Sequence, residues 1–221
     1  MHRKSLHSAF TLIELLVVIS IIAILAGIAA PVYTGVILNG KLTAATAQAR
    51  QIGLALRMYA GDNDGMFPGA KTDNGQPVTT SNDAFRVLIP TYLDTEKVFV
   101  VGGSKAGATV DEEMGSPSQI LQRGENHWAY VAGLSSTSKS NLPLIVDHTN
   151  GSGYYTSKEN TLGGTWKGTK AVVIAVDGSG AQVKLLGKGD RHFIPRPGDK
   201  TKNALETSYM GDDVKLLEPA R

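Results

Sequence analysis

The chain has 221 residues, with 25 glycines, nine prolines, 19% charged residues and a formal net charge of +2. That length supports one domain or two small ones with a real core. The balance of charge excludes intrinsic disorder and a nucleic-acid binder working through a strong basic field. With no cysteine, disulfide scaffolds, thiolate zinc sites, cysteine-held iron–sulfur clusters and cysteine nucleophiles are excluded as well.

The average conceals one extreme segment. Residues 10–30 read FTLIELLVVISIIAILAGIAA, a run of 21 in which Glu14 carries the only charge. As a helix rising about 1.5 Å per residue it would span ~31 Å, the thickness of a hydrocarbon core. Arg3 and Lys4 precede it, so the positive-inside rule keeps the first residues in the cytoplasm and sends the rest across. A cleaved signal peptide would explain the basic start and the small residues Gly27 and Ala29, but its apolar region should be only ~7–15 residues long. A plain anchor explains length and flanks but not a carboxylate this early in the run.

A third reading accounts for all of these. The stretch Ala9-Phe10-Thr11-Leu12-Ile13-Glu14-Leu15-Leu16-Val17-Val18 closely resembles the N-terminal processing motif of type IV prepilins and type II secretion pseudopilins. The resemblance implies cleavage by a prepilin peptidase on the cytoplasmic face, between Ala9 and Phe10, followed by N-methylation of the new Phe10 amine. The family usually has Gly before the cut, where this chain has Ala9. Pro31 matches the proline that commonly kinks the long pilin helix. Other implied partners are pilin or pseudopilin subunits, an inner-membrane assembly platform with its motor, and membrane lipid; no nucleic acid is expected. The implied location is a single pass through the inner membrane with the C-terminal domain in the periplasm, then a periplasmic or extracellular filament.

The chemistry of Glu14 points the same way. A carboxylate inside a bilayer costs about 2.5 kcal/mol or more at the centre and is usually paired. Removing residues 1–9 takes Arg3 and Lys4 away, and no side-chain cation then precedes Lys41. The Phe10 amine of a neighbouring subunit is the expected partner, which would fix axial register during assembly. Otherwise Glu14 would sit protonated or snorkelling in the headgroup region.

Beyond the membrane, Leu38, Leu42, Ala45, Ala49, Ile52, Leu56 and Tyr59 recur at spacings of four and three and mark one face of an amphipathic helix. Gly35 and Gly40 weaken it between its halves, each by up to ~1 kcal/mol relative to Ala. The cluster Gly61-Asp62-Asn63-Asp64-Gly65 ends it; Asp62 and Asp64 lack the remaining ligands of a calcium loop and read as a capping turn. Asp83 to Leu93 predicts a short helix stopped near Pro90. Val98–Val101, Ala129–Ala132 and Leu142–Asp147 predict short strands. Ala171–Asp177 and Ala181–Leu186, split by Gly178-Ser179-Gly180, predict a β-hairpin. The polar stretches Ser135–Asn141 and Thr149–Thr169 read as loops. An α+β fold follows, with a long N-terminal helix packed on a C-terminal antiparallel sheet. The domain plan is a leader at 1–9, a transmembrane segment at 10–30, an amphipathic continuation at 31–61 and a globular β-rich body at 62–221. The order of Asn126-His127-Trp128-Ala129-Tyr130, Asn141-Leu142-Pro143-Leu144 and Trp166-Lys167-Gly168 also resembles large pseudopilin-like proteins.

An enzymatic reading finds little. His127, His148 and His192 are isolated in sequence, without metal-ligand spacing. Asp147 and His148 would point to opposite faces of a strand. A set of Ser152, His148 and Asp177 lacks a G-x-S-x-G elbow. Gly102-Gly103-Ser104-Lys105 lacks the phosphate-loop pattern. Asp111-Glu112-Glu113 and Asp212-Asp213 read as solvated charge. Because acids in the C-terminal loops of secretion pseudopilins can bind calcium, Asp212 and Asp213 are held as calcium candidates; no other metal or cofactor, and no catalytic residue, is expected. The leading function is a filament subunit. The alternatives are a low-abundance adhesin-like minor pilin displaying Trp128, Trp166, Tyr154 and Tyr155, and an anchored periplasmic protein that never polymerises.

Overall fold

A computed structural model describes residues 11–69, 77–107 and 109–221, and within them all side chains except those of 29–32 and 34. The chain divides into two compact units, Met1–Gly40 and Lys41–Arg221. Helix α1, Leu12–Asp62, contributes residues to both. The boundary falls directly after Gly40, one of the two glycines expected to weaken the helix.

In the first unit, the side chains from Leu12 to Ile28 are exposed on every side of the helix. An all-round apolar surface has no core to face within its own unit. Glu14 lies in the first turn.

The second unit begins on the amphipathic part of α1. Leu42, Ala45, Ala49, Ile52 and Leu56 are buried and Tyr59 is half-buried, as their spacing predicts. This face lies against a five-stranded antiparallel sheet. Its strands are β1 (Trp128–Ala132), β2 (Pro143–Asp147), β3 (Lys170–Ala175), β4 (Gly180–Lys184) and β9 (Lys215–Leu217), in the order β4-β3-β2-β1-β9. Gly53 makes the close approach: a Cβ there would stand 2.8 Å from Ile174 Cγ2 on β3 and 3.9 Å from Ile145 Cδ1 on β2. Arg50 donates to the Gly180 carbonyl at 2.8 Å and Arg57 to that of Asp177, tying the helix to the tight β3–β4 turn. The helix ends as expected, with Asp64 and Gly65 in the left-handed region at φ 52° and 79° and Gly65 N–H donating to the Ala60 carbonyl.

Strands β1 and β2 are buried along their whole length, which explains their near-continuous apolar runs. Their register sets Trp128 opposite Asp147 and Tyr130 opposite Ile145. Helix α2 (Ser81–Arg86) covers β1, with Ser81 Oγ donating to the Trp128 carbonyl at 2.7 Å. It starts earlier than the sequence suggests because Thr80 and Asp83 form a capping box, and turns follow it up to Pro90. Phe85, Phe99 and Tyr130 stack into an aromatic core with centroids 5.3 and 5.4 Å apart.

The strand expected at Val98–Val101 is not formed. Lys97–Phe99 makes one turn of 3-10 helix instead. Val98, Phe99 and Val101 are buried by tertiary packing, and their backbone groups go to separate partners: the Val98 carbonyl to Trp128 Nε1, the Phe99 carbonyl to His127 N. Two further hairpins, β5 (Leu186–Lys188) with β6 (Arg191–Phe193) and β7 (Pro195–Arg196) with β8 (Asp199–Asn203), precede a short α3 (Thr207–Met210) and the edge strand β9.

Candidate functional site

At the N-terminal end, the expected cleavage and methylation positions Ala9 and Phe10 lie outside the described residues. The residues just after them form a reciprocal cap. Thr11 N and Thr11 Oγ1 both donate to Glu14 Oε2, at 2.9 and 2.7 Å, while Glu14 N donates to Thr11 Oγ1 at 3.2 Å. This is a capping box: two orphan backbone donors at the helix start are satisfied, and an acidic group sits at the positive end of the helix dipole. Reading Glu14 only as a charge in search of a cation missed it, although T-x-x-E ahead of an apolar run is its signature. Pro31 falls inside α1, with its side chain outside the described set. Among the described residues, no helix is long and apolar enough to cross a membrane. The expected span of 10–30 includes Phe10, Ala29 and Ala30, whose side chains are not described.

In the body, the structure gathers chemistry that the sequence leaves scattered. His127 is fully buried, with Nε2 2.7 Å from Asp147 Oδ1 and Nδ1 2.7 Å from Ser104 Oγ. Trp166 Nε1 donates to the same Asp147 oxygen at 2.8 Å, and Val172 N–H donates to Asp147 Oδ2. Ser104 Oγ accepts from the amides of Ala106 and Gly107 at 3.0 and 3.1 Å. Counting donors assigns the rest: the Ser104 hydroxyl spends its hydrogen on His127 Nδ1, and His127 Nε2–H serves Asp147. His148 stands edge-on to His127, with centroids 4.8 Å apart, and its Nε2 has no partner among the described residues. Burial, then the neighbouring imidazole of His127 and the charge of Arg221, hold His148 well below the usual histidine range.

Asp147 and His148 therefore meet one partner, contrary to the expected opposite facing. Strand β2 ends at Asp147, so alternation lapses at His148. The set Ser152, His148 and Asp177 shares no hydrogen bond; Asp177 and Ser152 are bound to their own turns. The set that does form, Ser104–His127–Asp147, is 5%, 0% and 1% exposed, and two amides already occupy the serine oxygen. It holds loops to strands and presents no face to a substrate. Trp128, Trp166 and Tyr155 are buried, which overturns the exposed aromatic platform; only Tyr154 is partly exposed, under Arg191 at 4.7 Å.

The calcium candidates Asp212 and Asp213 are exposed and join no cluster of metal-ligating side chains among the described residues. Asp62 accepts from the Tyr92 hydroxyl at 2.9 Å and joins none either. One cluster forms elsewhere, from Glu96, Asp111 and Glu125; Asp111 is exposed, as its reading as solvated charge expects, while the other two are buried. Loops far apart in sequence bring these three together.

Residues 4–30 match the family model described as the prokaryotic N-terminal methylation motif, the prepilin-type processing motif of type IV pilins and pseudopilins. The match begins at Lys4 and takes in the expected cleavage positions, Glu14 and the apolar run. No curated protein and no solved structure matches the chain. The match is confined to this N-terminal segment, which is similar to the processing motif of prepilin-peptidase substrates.

Proposed function

We propose that this protein is a structural subunit of a type IV pilus-like or type II secretion pseudopilus filament, and not an enzyme. The observation that carries the proposal is the methylation motif at residues 4–30. The all-round apolar surface of Leu12–Ile28 supports it, because such a surface needs lipid or other helices to cover it. In this reading, prepilin peptidase cuts between Ala9 and Phe10 and the Phe10 amine is methylated. Residues 10–30 hold the chain in the inner membrane until the assembly machinery extracts it. Helix packing between subunits then replaces lipid, while the body of the chain is displayed outward.

Glu14 has two tasks in this scheme. Its Oε2 closes the cap with Thr11, and the same carboxylate, next to the new terminus, attracts the Phe10 amine of an adjoining subunit and sets axial register. Pro31 serves as the bend in the long helix. The test is Glu14→Gln in cells carrying the assembly machinery. Processing to the Phe10 terminus should continue and incorporation into filaments, seen by immunogold electron microscopy, should fall at least tenfold. Filaments at normal yield would reject the pairing.

A further inference from the structure

We propose that Glu96, Asp111 and Glu125 form a binding site for a divalent cation of the calcium class, distinct from the C-terminal acids the sequence singles out. Each of the three offers a carboxylate oxygen, and these oxygens all lie within 4.8 Å of one another. Calcium takes oxygen ligands at about 2.3–2.6 Å, so oxygens that share one ion stand no more than about 5 Å apart, a limit this cluster meets. Magnesium demands near-ideal octahedral geometry and dehydrates reluctantly, so a set of protein carboxylates suits it less well. No histidine joins the cluster, which favours a hard cation over zinc.

An acidic cluster alone would not carry this. The second observation is Glu96 itself: its side chain is fully buried, and its Oε2 has no hydrogen-bond partner among the described residues. Leaving a buried carboxylate oxygen unpaired is costly, more so for a charged group than for a neutral one. The other oxygens are aimed by the backbone. Leu121 N–H donates to Glu96 Oε1, Gln122 N–H to Glu125 Oε2, and Asp111 N–H to Glu125 Oε1 at 3.4 Å. These bonds orient the carboxylates but supply no positive charge. Among the described residues none of the three acids forms an ion pair, and the nearby Lys97 is taken by Glu112. Burial, with the added repulsion of Glu125, Asp111 and Glu112, accordingly pushes Glu96 above the usual carboxylate range.

A bound cation would join three loop segments, at 96, 111 and 125, just ahead of Asn126 and His127 where the sheet begins. It would stabilise the body without touching the N-terminal motif, so the inference stands or falls separately from the filament reading.

The competing explanation is a proton held by Glu96 in place of the metal. The full-length chain in detergent, stripped with a chelator, is melted with and without calcium chloride and, separately, magnesium chloride; calorimetric titration gives the stoichiometry. Calcium at a hundredfold excess over its Kd should raise Tm by roughly 5–10 °C, with one ion per chain, and magnesium should need a higher concentration. Asp111→Asn, at an exposed position, should abolish the shift without lowering the chelated Tm, because it takes one charge out of the acid cluster. Asp212→Asn should leave the shift intact. No calcium binding, a shift that survives Asp111→Asn, or a Glu96→Gln variant that is stabilised while calcium has no effect on the unaltered chain would each overturn the site.

Discussion

Asp147 is the residue on which the body depends most heavily. Its carboxylate accepts from His127 Nε2, Trp166 Nε1 and Val172 N, and the side chain is almost completely buried. Asp147→Ala would strand three buried donors. Leaving one buried donor unsatisfied costs about 1–3 kcal/mol. Since the three donors relax together, a total of about 3–5 kcal/mol is expected, a large share of the ~5–15 kcal/mol typical of a native protein. Asp147→Asn should cost less, about 2–3 kcal/mol, because its remaining oxygen can keep His127 and Trp166 while its amide opposes Val172 N–H. The assay is urea denaturation of the full-length chain in detergent, followed by tryptophan fluorescence. The only tryptophans, Trp128 and Trp166, are both buried beside the network, so they report its opening directly. A loss below about 1 kcal/mol for Asp147→Ala would refute the view that this network holds the loops to the sheet.

Three further outcomes are expected. His148 is held neutral, below its unfolded value of 6.5, so the unfolded chain binds the extra proton first. Its contribution is complete above that value and declines as pH falls below it; the urea midpoint should drop between neutral and mildly acidic pH, and His148→Asn should flatten that dependence. Gly107→Ala would place a Cβ 2.3 Å from the backbone of Asn126 and His127, whereas the Cβ of Gly53→Ala meets side-chain atoms, the nearest being Ile174 Cγ2 at 2.8 Å. Thermal melts should therefore show a much larger loss for the first, in the range of 1–3 kcal/mol typical of overpacking, roughly. Thr80→Ala removes the capping box of α2 and should lower stability by about 1 kcal/mol in the same melts.

The parts of the fold that could be read from the sequence are those with a strong local period. The stripe from Leu42 to Leu56 and the Ala171–Leu186 hairpin each combine a clear spacing with a defined stop. β1 and β2 were legible as apolar runs. Val98–Val101 has the same composition, but the chain turns there because its carbonyls serve Trp128 and His127. Strand β9 is three residues long and gains its identity only by pairing with β1. The motif at the N-terminus is local and could be recognised, including the Thr11–Glu14 cap, whose spacing was present but not used. The His127–Asp147 contact depends on the register of β1 against β2. The Glu96, Asp111 and Glu125 oxygens converge only after three loops fold, so no spacing announces them.

The most direct measurement is the mass of the intact protein recovered from cells with and without a functional prepilin peptidase. With the peptidase, the chain should begin at Phe10 and carry one added methyl group; without it, the chain should begin at Met1 unmodified. A chain that retains Met1 in both strains would contradict processing at Ala9–Phe10 and, with it, assembly through the N-terminal helix.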